Sequence, residues 1–148
     1  MRKNKVESPY PFVFSTEIAV QVGDLNYGGH VGNEHYLLYA QETRIRFLQT
    51  FGHSEMKFGP YGLVLAEAHV EYFHELFHGD NIHIQLAVSA PTRVSFDCYY
   101  KLSTERNGST LVAAHIKTTM VCFDFNERKT KSIPPELKTM LINCSEGK

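Results

Sequence analysis

The chain has no Cys-x-x-Cys pair, no long basic run and no apolar run of membrane-spanning length, and each absence removes a class of function. Cys98, Cys122 and Cys144 are odd in number, and the first two sit in apolar strand patterns. Buried, reduced thiols are therefore expected, not disulfide staples. A formal net charge of −1 gives no reason to expect nucleic-acid binding. Met1-Arg2-Lys3-Asn4-Lys5 is charged, but no apolar segment of signal-peptide type follows it. A cytosolic protein without membrane attachment is the expectation. There is no Gly-x-x-x-x-Gly-Lys loop, no dinucleotide fingerprint and no Gly-x-Ser-x-Gly elbow. Of the eight histidines none shows metal-binding spacing on a helix, because His74 and His78 fall in an expected loop. No metal and no cofactor are expected.

What is present fits one domain spanning residues 1–148. Hydrophobic residues make up 43% and charged residues 21%, and the length allows a core without staples. No repeat, low-complexity tract or linker divides the chain. Phe12, Phe14, Ile18, Val20 and Val22 recur at period two and predict a first strand over Phe12–Val22. A helix is predicted from about Asn33 to Phe51, with Asn33 as N-cap, Glu34 in the first turn and Gly52 at C′. Tyr36, Leu37, Ala40, Phe47, Leu48 and Phe51 form its apolar stripe, and Arg44 falls within that stripe and needs a partner if buried.

Beyond the helix the period is two. Val64, Ala66, Ala68, Val70 and Tyr72 alternate with Leu65, Glu67, His69, Glu71 and Phe73. Strands follow through Ile82–Val88, Val94–Leu102 and Thr110–Phe125, with turns at Gly79-Asp80, Pro91 and Asn107-Gly108. Pro134-Pro135 starts a short closing helix through Leu141. This order predicts an α+β fold, an antiparallel sheet of about five strands wrapped around one long helix.

Between the first strand and the helix runs Gly23-Asp24-Leu25-Asn26-Tyr27-Gly28-Gly29-His30-Val31-Gly32-Asn33. A glycine-bearing turn at a helix start offers free backbone N–H groups, which favour an anion or a developing oxyanion. From this segment through Tyr36-Leu37 the residues resemble Asp-x-Asp-x-x-Gly-His-Val-x-Asn-x-x-Tyr-Leu of the hotdog fold. They are most similar to the acyl-CoA thioesterase group that includes the 4-hydroxybenzoyl-CoA thioesterase-like enzymes. Glu42-x-Arg44, Gly79-Asp80 and Ile133-Pro134-Pro135-Glu136-Leu137 extend the resemblance over roughly Thr16 to Leu137.

The resemblance implies thioester hydrolysis to a carboxylate and free CoA, in a homodimer or a tetramer of dimers with sites between subunits. It also exposes one departure. The second Asp of Asp-x-Asp, the family's usual nucleophile or base, is Asn26 here. An amide cannot take a proton from water near neutral pH, so a separate base is required. Glu42 and Glu67 are the first choices, and His30 can act as base or orient the turn. The backbone N–H groups of Gly29, His30 and Val31 are the expected oxyanion donors, and Asn26 is expected to hold the carbonyl or the lytic water. Asp24, Tyr36, Arg93 and Ser95 are candidate substrate contacts. Each has a plain structural alternative: an Asx turn for Asn26, an Arg46 ion pair for Glu42, a solvated sheet face for Glu67. The alternative functional class is a non-catalytic acyl-CoA binding protein that has lost the catalytic Asp. A hydratase or dehydratase on the same fold needs a His/Asp-type pair that the sequence does not place.

Overall fold

The computed structural model describes residues 6–148. The elements run β1 (Phe14–Ala19), α1 (His35–Gln49), β2 (Gly62–Tyr72), β3 (Asn81–Val88), β4 (Ser95–Arg106), β5 (Ser109–Asp124), β6 (Lys129–Thr130) and α2 (Pro135–Ser145). The strands form one antiparallel sheet in the order β1-β3-β4-β5-β2, with β6 on the end of β5. No helix among the described residues is long and apolar enough to cross a membrane.

Local chemistry sets most boundaries. At the β4–β5 hairpin, Asn107 and Gly108 both adopt positive φ, 53° and 79°, the left-handed pair that a two-residue turn with the twist of the strands requires. Gly52 (φ 78°) ends α1 as predicted, with His53 N–H donating to Leu48 O and Gly52 N–H to Gln49 O. The start differs from expectation, because the residue that caps it is Glu34, not Asn33, and no side chain bonds the first turn. β1 is shorter than predicted. Val22 lies in a single 3-10 turn over Val22–Asp24 and is exposed, since the chain must leave the sheet to reach the helix.

The buried face of α1 is Tyr36, Tyr39, Ala40, Thr43, Arg44, Phe47 and Leu48, an i, i+3, i+4, i+7 stripe. It keeps Tyr36, Ala40, Phe47 and Leu48 of the predicted stripe, with Arg44 buried among them, and differs at its margins. Tyr39 is inside, whereas Leu37 and Phe51 are exposed. These side chains meet Ile84, Leu86, Tyr100, Ile116 and Met120 of the sheet in one core.

In β2 the simple alternation fails. The pairing with β5 slips between Leu65 and Glu67, leaving Ala66 as an extra residue. Opposed residues share a face, and Leu65 opposes Met120, Ala68 opposes Thr118 and Val70 opposes Ile116. Thr118 touches Arg44 of the helix, so Leu65, Ala68 and Val70 face the helix layer while Glu67, His69 and Glu71 face the other way. Leu65 through His69 are nonetheless exposed, because α1 does not reach across this edge.

Candidate functional site

The segment Asp24–Gly32 folds as a tight loop clamped at its neck. Leu25 bridges Val31, Asn26 N–H donates to His30 O (2.9 Å), and Gly32 N–H donates to Asp24 O (3.1 Å). Inside the loop Gly28 N–H donates to Asn26 Oδ1 (2.8 Å) and Gly29 N–H to Asn26 O (3.1 Å). Gly29 sits at φ +84°, where a Cβ would be strained. The segment following β2 lies antiparallel against this loop. Val31 N–H donates to Leu76 O (2.8 Å) and His30 bridges Phe77.

These bonds correct the expected oxyanion donors. The amides of Gly29 and Val31 are spent within the chain, because closing so short a loop consumes them. Of the three, only the His30 N–H takes no partner among the described residues. Asn26 forms the Asx turn, yet only its Oδ1 is used. The Nδ2 amine has no partner among the described residues and remains a donor.

His30 is the side chain the loop presents. Its Nδ1 lies 3.2 Å from Val31 O, a carbonyl that can only accept, so Nδ1 is the donor of that bond and the neutral ring that makes it carries its lone pair on Nε2. A methyl group placed on Gly28 would stand 3.2 Å from Asn26 Oδ1 and 3.4 Å from His30 Nε2. The two side chains therefore flank one small space floored by a glycine. Next to it is a cleft of about 280 Å³ lined by His30, Val31, Tyr36, Tyr72, His74 and Glu75 among others. Tyr36 and Tyr72 meet edge to face at 4.9 Å, and burial pushes the Tyr36 hydroxyl up to about 12.

Asp24 is a hub, not an open carboxylate. Its Oδ2 accepts from Tyr39 Oη (2.8 Å) and Gln21 N–H (2.9 Å), and Oδ1 faces His35 Nε2 at 3.7 Å. Burial and the Asp24 bond together raise Tyr39 beyond the tyrosine range. Glu42 bonds Arg46 at 2.7 Å, and Arg46 is tied in turn to Thr16 on β1. Glu67 stands on the sheet face turned away from the helix, opposite Thr119. No hydrogen bond or ion pair joins either glutamate to Asn26 or His30 among the described residues. Arg93 donates to Ser132 Oγ (2.8 Å) in the segment leading to α2, while Ser95 Oγ pairs with Thr92 Oγ1 (2.8 Å) within a local turn.

One residue that sequence reasoning missed is Glu75, whose Oε1 lies 3.9 Å from His30 Nε2. It sits in His74-Glu75-Leu76-Phe77-His78, a spelling that on a helix would place two histidines on one face. Here the segment is extended and paired with the loop, so that face does not exist. Among the described residues no three His, Cys, Asp or Glu side chains are placed to hold a metal ion. The bridge to His30 is long-range, and no local signal announces it.

A family model described as the thioesterase-like superfamily matches residues 20–141. A 1,4-dihydroxy-2-naphthoyl-CoA hydrolase of Microcystis aeruginosa is 28% identical over 128 residues, covering 84% of this chain and 90% of that one. A 1,4-dihydroxy-2-naphthoyl-CoA thioesterase from Synechocystis superposes with a TM-score of 0.77 at 23% identity, over 88% of this chain and 96% of its own. A 4-hydroxybenzoyl-CoA thioesterase, solved as an aspartate-to-asparagine mutant in complex with 4-hydroxybenzoyl-CoA, superposes with a TM-score of 0.78 at 16% identity, over 89% of this chain and 98% of its own.

Proposed function

Because this chain belongs to the thioesterase-like superfamily, we propose that it hydrolyses an acyl-CoA thioester to a carboxylate and free CoA. The observation that carries the reading is the convergence of Asn26 and His30 over Gly28, with Asn26 Oδ1 and His30 Nε2 both next to that glycine and His30 lining the adjoining cleft. Asn26 Nδ2 and the His30 N–H polarise the thioester carbonyl, a type of contact whose removal costs about 10²–10³ in rate. The lone pair on His30 Nε2 takes the proton of the attacking water, the base that Asn26 itself cannot be. Glu42 is held by its Arg46 pair and Glu67 by its sheet face, and neither is needed.

The uncovered middle of β2 supports a homodimer. Its edge is eleven residues long and carries Leu65, 49% exposed, on the helix side. A second copy paired along it removes both the open edge and that apolar surface. The acyl-CoA comes from solution in this reading, with the protein cytosolic and its three buried cysteines reduced.

The test is thiol release over a panel holding 1,4-dihydroxy-2-naphthoyl-CoA, 4-hydroxybenzoyl-CoA and straight-chain acyl-CoAs. Turnover that falls at least a hundredfold in both Asn26→Ala and His30→Gln supports the assignment. Saturable binding with no CoA release anywhere in the panel identifies instead a binding protein, the reading that the Asn26 exchange favours. Enoyl-CoA hydration without CoA release identifies a hydratase.

A further inference from the structure

We propose that Glu75 shares the attacking water with His30, an inference that rests on the thioesterase reading above. Its starting point is a conflict of acceptors. In the neutral ring that donates Nδ1–H to Val31 O, the form a general base needs, His30 Nε2 is an acceptor, and the Glu75 carboxylate 3.9 Å away is an acceptor as well. Two facing acceptors are reconciled by one molecule that donates to both. A water doing so with arms of about 2.8 Å spans roughly 4.4 Å, within about half an ångström of the gap present. The Glu75 side chain is 63% exposed and free to make that adjustment.

The backbone around Glu75 is less free than its side chain. The Val31–Leu76 bond and the His30–Phe77 bridge lock the segment in register against the loop. Arg106 holds the carbonyl of Glu75 (3.1 Å) and the carboxylate of Asp80 (2.6 Å) while covering the Phe77 ring. The backbone that carries the Glu75 side chain is thus fixed beside His30 by these five contacts.

A water donating one hydrogen to each acceptor keeps its oxygen lone pairs for attack. The new C–O bond forms at the thioester carbon, and the carbonyl electron pair moves to oxygen, facing Asn26 Nδ2 and the His30 N–H. The water proton passes to His30 Nε2, and the resulting imidazolium faces the Glu75 carboxylate. The C–S bond then breaks with its electron pair on sulfur, and the imidazolium returns the proton to the CoA thiolate. Water and thioester become carboxylic acid and thiol, with nothing left over.

Glu75→Gln tests this directly, since an amide cannot accept as a carboxylate does. The expected result is a fall in kcat of about a hundredfold, as loss of general-base assistance gives, with KM within twofold and an unchanged melting midpoint. Hydroxylamine attacks without base assistance, so hydroxamate formation by the variant should stay within threefold of wild type. Glu75→Asp should recover part of the loss. Wild-type turnover together with Glu75→Gln within threefold of it overturns the role of Glu75 and leaves the thioesterase reading standing. A loss that hydroxylamine does not bypass also overturns it, because a structural defect would slow both nucleophiles. Wild-type protein inert over the whole panel overturns the thioesterase reading, and this inference falls with it.

Discussion

Two groups of polar side chains lie near α1, one beneath its second half and one before its first turn, and they have opposite degrees of completion. Under the helix, Arg44 is 3% exposed and donates to Glu55 (2.7 Å) and Tyr100 Oη (2.8 Å), while Tyr100 and Thr118 share a further bond at 3.0 Å. Every strong partner in that group is spoken for. Before the helix, the Asn26 amine and the His30 N–H are left open among the described residues, and His30 Nε2 meets only the exposed Glu75 carboxylate at 3.9 Å. A dry, fully bonded network fixes how the helix sits on the sheet. An open one, held rigid by bonds made elsewhere, is left to act on something else.

The largest effect expected from breaking this contrast is on the stability side. Arg44→Ala leaves the Glu55 carboxylate and the Tyr100 hydroxyl facing a void, and unfolding should become easier by about 3–5 kcal/mol. Urea denaturation measures it, and the folded fraction should keep its kcat. If the loss stays under about 1 kcal/mol, the network is not what seats the helix.

Next in size is a dependence on alkaline pH, to which the buried group contributes through Tyr100 and its neighbour Cys98. Burial pushes the Cys98 thiol up to about 12 from its usual 9.0, and Tyr100 is raised by burial as well. Above pH 9 the unfolded chain loses the Cys98 proton while the folded chain keeps it, so stability falls as pH rises toward 12. Below pH 9 this contribution is fully present. Urea midpoints taken between pH 8 and pH 11 should drop for the wild type and drop less for Cys98→Ala; parallel slopes would refute the cause.

The smallest effect sharpens the boundary of the open group. Glu42→Gln removes an exposed i, i+4 pair with Arg46, which is worth at most about 0.5 kcal/mol. Thiol release should be unchanged. A tenfold or greater loss of kcat would bring Glu42 back into the chemistry and displace His30.

Much of the frame was legible along the chain. The helix stop at Gly52, the Asn107-Gly108 hairpin and the proline-initiated last helix are local signals, each set by the φ values a few residues allow. So was the need of Arg44 for a partner, though not which partner. The β2 alternation misled because a bulge adds one residue without altering composition, and one residue is enough to reverse faces. The oxyanion donors misled for a related reason. A glycine turn announces exposed amides, but only the closed loop shows that Gly29 and Val31 spend theirs on Asn26 and Leu76.

The sequence by itself determined the α+β class, the place of the polar loop before the helix and the Asn26 exchange, since these follow from periodicity, turn chemistry and residue type. Only the tertiary structure decided which amides stay open, that His30 Nδ1 meets Val31 O and that Glu75 stands opposite Nε2. Those depend on the pairing of residues 74–77 with residues 30–31, more than forty positions apart, and contacts across such a separation leave no local mark on either segment.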